Sequence, residues 1–258
     1  MKIGLIGASG RMGAEIIAAA NAADASVVAG LVAKQDPLCG KTVEGMNVAL
    51  SDSWDKDSSA EVIIDFSLPQ GTVKAIEISK EQGIPLVVGT TGLSEETQKA
   101  LSDLSKEIPV LVATNFSVGV NTLNWLVEKA TSMMGEGVDI EVLDIHHRMK
   151  KDAPSGTAVT LAEHVCAARG QEYSKVVTHG RAGAEAKRED GEVGIQAFRG
   201  GGVVGEHTVY FFADGERLEL SHKASDRGIF ARGAVRAASW LVGKPAGMYS
   251  MKDVLGVS

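Results

Sequence analysis

The chain has little cysteine, little proline, few aromatic residues and no surplus of positive charge, and each shortage closes a door. Its 258 residues include two cysteines, Cys39 and Cys166. They are far apart and form no C-x-x-C pair, so neither a disulfide framework nor a zinc site is indicated. Two buried free thiols are expected instead. Six prolines and 5% aromatics, beside 44% hydrophobic and 23% charged residues, describe an ordinary globular chain and exclude proline-rich or low-complexity architecture. A net charge of −7 and a pI near 5.4 argue against a nucleic-acid or anionic-membrane binder, which needs a broad positive field. No segment approaches the ~18 uninterrupted apolar residues of a membrane span, and "MKIGLIGASGRMG" is apolar for too short a stretch to be a signal peptide. A reducing cytoplasm is therefore the expected compartment.

Thirty glycines are present, and they mark where the chain turns. "KIGLIG" is a short apolar run followed by "RMGAEIIAAANAA", where Met12, Ile16, Ile17 and Ala20 recur at helical spacing. "SVVAGLVA", "EVIIDFS", "PLVVGTT" and "IPVLVAT" read as further buried strands. Helical stretches lie between the last three, one closed by Gly83 and one opened by Ser94. Strands alternating with helices predict a Rossmann-like, doubly wound parallel sheet in an α/β domain.

After Asn115 the pattern changes. "VNTLNWLVEKATSMMG" is helical, "VDIEVLDIHH" a strand, and Ser155 to Gly170 a helix. "GEVGIQAFRGG", "EHTVYFFADG" and "RLELSHKAS" read as strands joined by glycine turns, predicting an α+β domain with a mainly antiparallel sheet. "RGIFARGAVRAASWLVG" is helical again, with Phe230, Ala234, Ala237, Ala238 and Leu241 suited to packing on the first domain. The expected division is residues 1–117 with 228–258 as a dinucleotide-binding domain, and 118–227 as a substrate-binding and oligomerisation domain.

Gly7-Ala8-Ser9-Gly10-Arg11-Met12-Gly13 spans the first strand-to-helix turn. Glycines there admit a pyrophosphate to the backbone, and the following helix start offers N–H groups and the positive end of its dipole. The spacing is GxxGxxG, one residue longer than GxGxxG. "VVGTTG" and "ATNFSVGVN" end later strands on the ligand-binding edge of such a sheet.

The densest chemistry is "HHRMKKDAPSGTA". Ser155 reads as an N-cap, with the N–H groups of Gly156 and Thr157 and the Thr157 hydroxyl facing outward as an anion cradle. Two histidines, an arginine and two lysines just upstream supply positive charge suited to a carboxylate or dicarboxylate. In an extended strand His146 and His147 point to opposite faces, so both serve one pocket only if the strand ends there. His164, His179, His207 and His222 are scattered, and no spacing signals a metal.

Taken together, "GASGRMG", "IDFSLPQGT", "VVGTTG", "NFSVGVN", "HHRMKKDAPSGTA", "GEHTVYF" and "LELSHKASDR" closely resemble the dihydrodipicolinate reductase family over essentially the whole chain. The resemblance implies reduction of a cyclic dicarboxylate, 4-hydroxy-tetrahydrodipicolinate, by NADH or NADPH in diaminopimelate and lysine biosynthesis. It implies His146 and Lys150 as catalytic residues, both proposed to handle the proton. His147, Gly156 and Thr157 match substrate-binding positions, beside Ser155. Gly7, Ala8, Ser9, Gly10, Arg11 and Met12, then Gly89, Thr90 and Thr91, then Ala113, Thr114, Asn115 and Phe116 match cofactor-binding stretches, although Thr114 stands where alanine is expected. It also suggests a homotetramer built through the antiparallel sheets. Because the cofactor loops fall in the first domain and the basic cluster in the second, hinge closure is expected to bring cofactor and substrate together.

The resemblance breaks at the end of the second strand. In "GLVAKQD", Val32 and Ala33 replace an acidic and then a basic residue, which leaves Lys34 to reach a 2′-phosphate, while Asp36 could fold back into the acidic role. NADPH is therefore expected to serve at least as well as NADH. Two other readings stay open: a dehydrogenase of another small acid, and a dinucleotide sensor, which would have no need of the His-Lys cluster.

Overall fold

A computed structural model describes residues 1–257, which divide into two compact units, residues 1–118 with 228–257 and residues 119–227. The first unit is built from strands β1 (Lys2–Ile6), β2 (Ser26–Leu31), β3 (Val62–Asp65), β4 (Leu86–Val88) and β5 (Pro109–Val112), with helices α1 (Arg11–Ala22), α2 (Pro69–Gln82) and α3 (Glu95–Leu104) between them. Every strand pairing is parallel. Strands β3 and β4 are buried at every position, which is why they read as continuous apolar runs.

Local signals set the helix ends. The Ser94 hydroxyl accepts from the Thr97 N–H at 3.2 Å and opens α3 with Glu95 and Glu96 in its first turn. Gly83, at φ 66°, closes α2 in the left-handed conformation that favours glycine.

The unit is completed from the far end of the chain. Helix α7 (Gly228–Leu241) buries Ala231, Ala234, Ala237, Ala238 and Leu241 in the same core as Ile16, Ile17 and Ala20 of α1, as the apolar spacing predicted, while Phe230 is only half-buried. A short strand that the sequence reading did not anticipate, Gly247–Tyr249, pairs with β5 and becomes the sixth of the sheet, whose order is Gly247–Tyr249, β5, β4, β3, β1, β2. The order reverses at β1, so the crevice at the carboxyl ends of β1 and β3 is the place for a ligand.

The second unit contains α4 (Val118–Met134), β6 (Asp139–His146), α5 (Gly156–Arg169), α6 (Tyr173–Val176), β7 (Val177–His179), β8 (Val193–Arg199), β9 (Gly205–Ala213) and β10 (Glu216–Ala224). The sheet order is β10-β9-β6-β8-β7. It is antiparallel from β10 through β9 to β6, but β6–β8 and β8–β7 are parallel. The reason is the connection: α5 returns the chain from the end of β6, and such a crossover delivers the next strand parallel. One face of the sheet packs Ile140, Val142, Ile195, Val209 and Phe211 with Leu161, Ala162 and Val165 of α5. Cys166 is buried there, whereas Cys39, expected to be buried, is half-exposed because it lies in the loop after β2. Among the described residues no helix is long and apolar enough to cross a membrane.

Candidate active site

In the first unit the glycine loop forms one wall of a cavity of about 800 Å³ at the carboxyl ends of β1, β2 and β3. Gly7 has φ 82°, and a Cβ there would lie 2.5 Å from the Phe66 carbonyl oxygen. A Cβ on Gly13 would lie 2.4 Å from the Ala8 carbonyl, so α1 can run this close to the loop only without one. Gly10 is the N-cap of α1 and contributes no side chain, which leaves the first-turn N–H groups to whatever enters the cavity. That is the cradle a pyrophosphate requires, and the residues present fit a dinucleotide.

Gly7, Ser9, Gly10, Arg11, Met12 and Lys34 line this cavity, together with Lys74. Ala8 is buried, so only its backbone can serve. Asp36 does fold back: its carboxylate accepts from the Ser9 hydroxyl at 2.5 Å and the Leu38 N–H at 2.8 Å, and these two bonds hold it below the usual carboxylate range. Gly89, Thr90, Thr91 and Ala113 to Phe116 lie outside the lining, on the loops after β4 and β5. Two of them have other work. Gly89 leaves space for the Phe66 ring, which a Cβ would meet at 2.3 Å. Phe116 is 1% exposed, with its ring 5.2 Å from that of Phe66.

Behind these loops lies Asp65, fully buried at the end of β3. It accepts from Ser67, from the Thr72 hydroxyl at 2.6 Å and from the Thr90 hydroxyl at 2.9 Å. Burial raises its carboxyl above the usual range, and the three hydroxyls offset only part of that.

In the second unit, β6 alternates so that Ile140, Val142, Asp144 and His146 share the buried face. The strand stops at His146, and His147 and Lys150 then form a turn, with the Lys150 N–H on the His147 carbonyl at 3.1 Å. The strand therefore ends between the two histidines and only His147 is released from its alternation, the condition for both to serve one pocket. Lys150 pairs with Asp152 at 2.9 Å. Ser155 caps α5 as its position predicted, its hydroxyl accepting from the Ala158 N–H at 3.2 Å, with Gly156 exposed and Thr157 half-buried in the first turn.

Beneath the cradle is a network that spacing alone did not reveal. Asp144, with no exposed surface, accepts on Oδ2 from the Ser155 N–H at 2.8 Å and from Arg199 at 3.0 Å. Its Oδ1 lies 2.7 Å from His146 Nδ1, in an oblique approach, and 3.4 Å from His207 Nε2. Burial pushes the carboxyl up, but His207, Ser155 and Arg199 outweigh it and hold Asp144 well below the usual range. His146 is shifted down, first by burial and then by the charges of His207 and Lys150, against the opposing pull of Asp144. Asp144, His146 and His207 are close enough to suggest a metal, but Arg199 already places a fixed cation on this carboxylate.

Asp144 was not singled out, although it stands two residues before His146, a strand spacing that puts both on one face. His207, read as scattered, stands directly opposite Asp144 across the β6–β9 pairing, and Arg199 opposite His146 on β8. Only strand register brings these two in.

The family description "Dihydrodipicolinate reductase, N-terminus" matches residues 1–116, and "Dihydrodipicolinate reductase, C-terminus" matches residues 119–255. A 4-hydroxy-tetrahydrodipicolinate reductase of Pseudoalteromonas translucida is 44% identical, with 98% of this chain and 97% of that protein covered. One of Citrifermentans bemidjiense is 41% identical, covering 100% and 99%. Among solved structures, a dipicolinate-bound dihydrodipicolinate reductase from Paenisporosarcina superimposes with a TM-score of 0.76 at 20% identity over 97% of each chain, a likeness of fold.

Proposed function

The chain belongs to the dihydrodipicolinate reductase family, and from that premise we propose that it reduces the cyclic dicarboxylate 4-hydroxy-tetrahydrodipicolinate to tetrahydrodipicolinate, in the diaminopimelate and lysine route. The observation that carries the substrate class is the start of α5, where Ser155 caps the helix and Gly156 and Thr157 form its first turn, beside the His146–Lys150 turn. A helix N-terminus with adjacent cations suits a carboxylate and has no evident use for a neutral ligand.

A nicotinamide dinucleotide, when bound, supplies the hydride. Gly7 to Met12 would hold its pyrophosphate, with the loops at Gly89–Thr91 and Ala113–Phe116 toward its nicotinamide end. The substrate's 4-hydroxyl leaves as water, which gives the conjugated ring that takes the hydride; this chain's task is then to bind the dicarboxylate and to supply one proton to the carbon skeleton as negative charge develops there. Burial keeps His146 below its ordinary value and hence neutral near pH 7. The proton is therefore assigned to the ammonium of Lys150, kept oriented by Asp152, and His146 to holding the reacting ring through an acceptor nitrogen. His147, Ser155, Gly156 and Thr157 form the rest of the dicarboxylate site.

For the cofactor we take NADPH to serve at least as well as NADH. Three cationic side chains, Arg11, Lys34 and Lys74, line the cavity against one carboxylate, Asp36, whose oxygens are engaged by Ser9 and Leu38. The working form is taken to be a cytoplasmic homotetramer joined through the open face of the second sheet. That face carries Phe198 at 56% exposure and Phe212 at 38%, the latter stacked with Tyr210. Light scattering of Phe198→Glu should show smaller particles than the unmodified protein, and an unchanged mass would remove this face from the assembly.

The deciding experiment follows loss of nicotinamide absorbance with the cyclic substrate made in situ by the aldol-type synthase that forms it. Turnover with this substrate supports the reading. Turnover only with another small acid, or tight dinucleotide binding without turnover, would replace it with a different dehydrogenase or a sensor.

A further inference from the structure

The cluster under the α5 cradle contains a group that touches neither proposed substrate nor cofactor, yet three elements converge on it. We infer that Asp144 is a positioning residue: it holds His146 in the tautomer whose proton sits on Nδ1, presents Nε2 as the acceptor atom, and ties that ring to the start of α5. This rests on the reading of the second unit as the dicarboxylate site.

The tautomer follows from distance. Nδ1 of His146 is 2.7 Å from Oδ1 of Asp144. Both atoms are buried and the contact is too misaligned to be a hydrogen bond, but a lone pair held that close to a carboxylate oxygen is repelled and an N–H is attracted, so the ring proton is on Nδ1. A neutral imidazole has one N–H, which leaves Nε2 as the acceptor.

The carboxylate cannot turn away to relieve the ring. Its other oxygen is held by the Ser155 N–H at 2.8 Å and by Arg199 at 3.0 Å, and Arg199 is itself fixed by the Asp152 carbonyl at 2.8 Å. Ser155 is the N-cap of α5. One carboxylate thus joins the peptide that starts the anion-binding helix to the imidazole beside it. His207 closes the arrangement, its Nε2 3.0 Å from the Ser155 hydroxyl and its ring edge-on to that of His146 at 5.1 Å. Gly205 is also part of the fit, since a Cβ there would stand 2.9 Å from His146 Nε2.

The groups acting on His146 are Asp144 on its own strand, Lys150 in the turn, His207 on β9 and Arg199 on β8 through Asp144, with His222 on β10 facing His207. Of these only Asp144 favours the imidazolium. Neutralising it must therefore push the titration of His146 to lower pH and free the ring to exchange tautomers.

The test uses the full chain. Nitrogen-detected NMR of the histidine rings reads the tautomer in the unmodified protein, and the pH dependence of kcat, the KM for the dicarboxylate and dinucleotide binding are compared for Asp144→Asn and Asp144→Glu. Expected are an Nδ1–H tautomer for His146 in the unmodified protein and a mixture in Asp144→Asn. The His146 titration should fall in that variant, and kcat should drop about tenfold or more, less than the ~10²-fold of removing an acid-base group outright, because the imidazole itself remains. Dinucleotide affinity should hold, and Asp144→Glu should regain part of the rate. An Nε2–H tautomer in the unmodified protein overturns the inference, as does an unshifted His146 titration in Asp144→Asn. The first measurement needs no variant, so misfolding of Asp144→Asn leaves it decisive. Full turnover in His146→Gln would remove the catalytic reading of that ring, while the nitrogen spectrum still decides its tautomer.

Discussion

Two aspartates end up in matching places in the two units and behave in opposite ways. Asp65 closes β3 and Asp144 lies two residues from the end of β6; neither exposes any surface. Asp65 is met by three hydroxyls, from Ser67, Thr72 and Thr90, with the Ser67 backbone N–H as its weakest donor, and among the described residues by no cation. Asp144 is met by a guanidinium, a backbone N–H and two imidazoles. Burial raises the first, and the donors overcome burial in the second. Hydroxyls can turn to donate or accept, so they tolerate either form of the acid. Arg199 and the Ser155 N–H can only donate. Asp65 is accordingly a clasp that gathers the loops after β3 and β4, whereas Asp144 is an anchor whose charge matters.

The sharpest way to break this contrast is to remove the chemistry on the Asp144 side. His146→Gln and Lys150→Ala should each lower kcat on the order of 10²-fold, the usual scale for a positioned acid or base, with dinucleotide binding retained. Steady-state kinetics decide this, and near-normal turnover in both variants would leave the second unit without its acid-base role.

Stability separates the two carboxylates next. Asp144→Asn leaves Arg199 facing a neutral amide in a buried place and should cost about 3 kcal/mol. Asp65→Asn should cost about 1 kcal/mol or less, because its hydroxyl partners can reorient. Urea midpoints measure both. Equal losses would mean that the kind of donor is immaterial.

The cofactor cleft gives a smaller effect. Lys34→Glu should shift the ratio of kcat/KM for NADPH over NADH about tenfold toward NADH, the worth of one charge-assisted contact. An unmoved ratio would leave selection to Arg11, Lys74 or Asp36.

The smallest expected effect is in the pH dependence, where the two acids differ in sign. The folded value of Asp144 is depressed, so its stabilisation is complete above the unfolded value of ~3.9 and is lost as pH falls below it. The folded value of Asp65 is raised, so the native state takes up that proton first. Its contribution improves as pH falls from the folded value toward ~3.9. Urea midpoints between about pH 7 and about pH 3 should therefore lose their mild acid gain in Asp65→Asn. In Asp144→Asn they should lose part of the acid collapse. The same pH response in both variants would end the distinction.

Much of this was readable along the chain. Apolar runs identified β1 to β5 because strands in a doubly wound sheet are buried on both sides, and Ser94, Gly83, Ser155 and Gly170 announced helix ends through local bonding that depends on neighbours alone. The strand Gly247–Tyr249 was not visible. Three residues carry no period, and they are extended because β5 offers an edge. A mainly antiparallel second sheet was expected, but which strands pair parallel was not visible for a similar reason: pairing direction follows from where α5 returns the chain.

At the candidate sites the division is the same. The amino-acid sequence by itself determined what lies within one or two turns of backbone: the glycine loop, the α5 cap, the His-Lys turn, and the family whose pattern these make up. Tertiary structure alone decided that His207 and Arg199 meet Asp144, that Asp36 folds onto Ser9, and that Thr90 braces Asp65. Those partners are 25 to 63 residues apart along the chain, and only strand register and loop closure set the distances between them. A buried charge takes its character from the donors that fold around it, and spacing along a chain does not record which those will be.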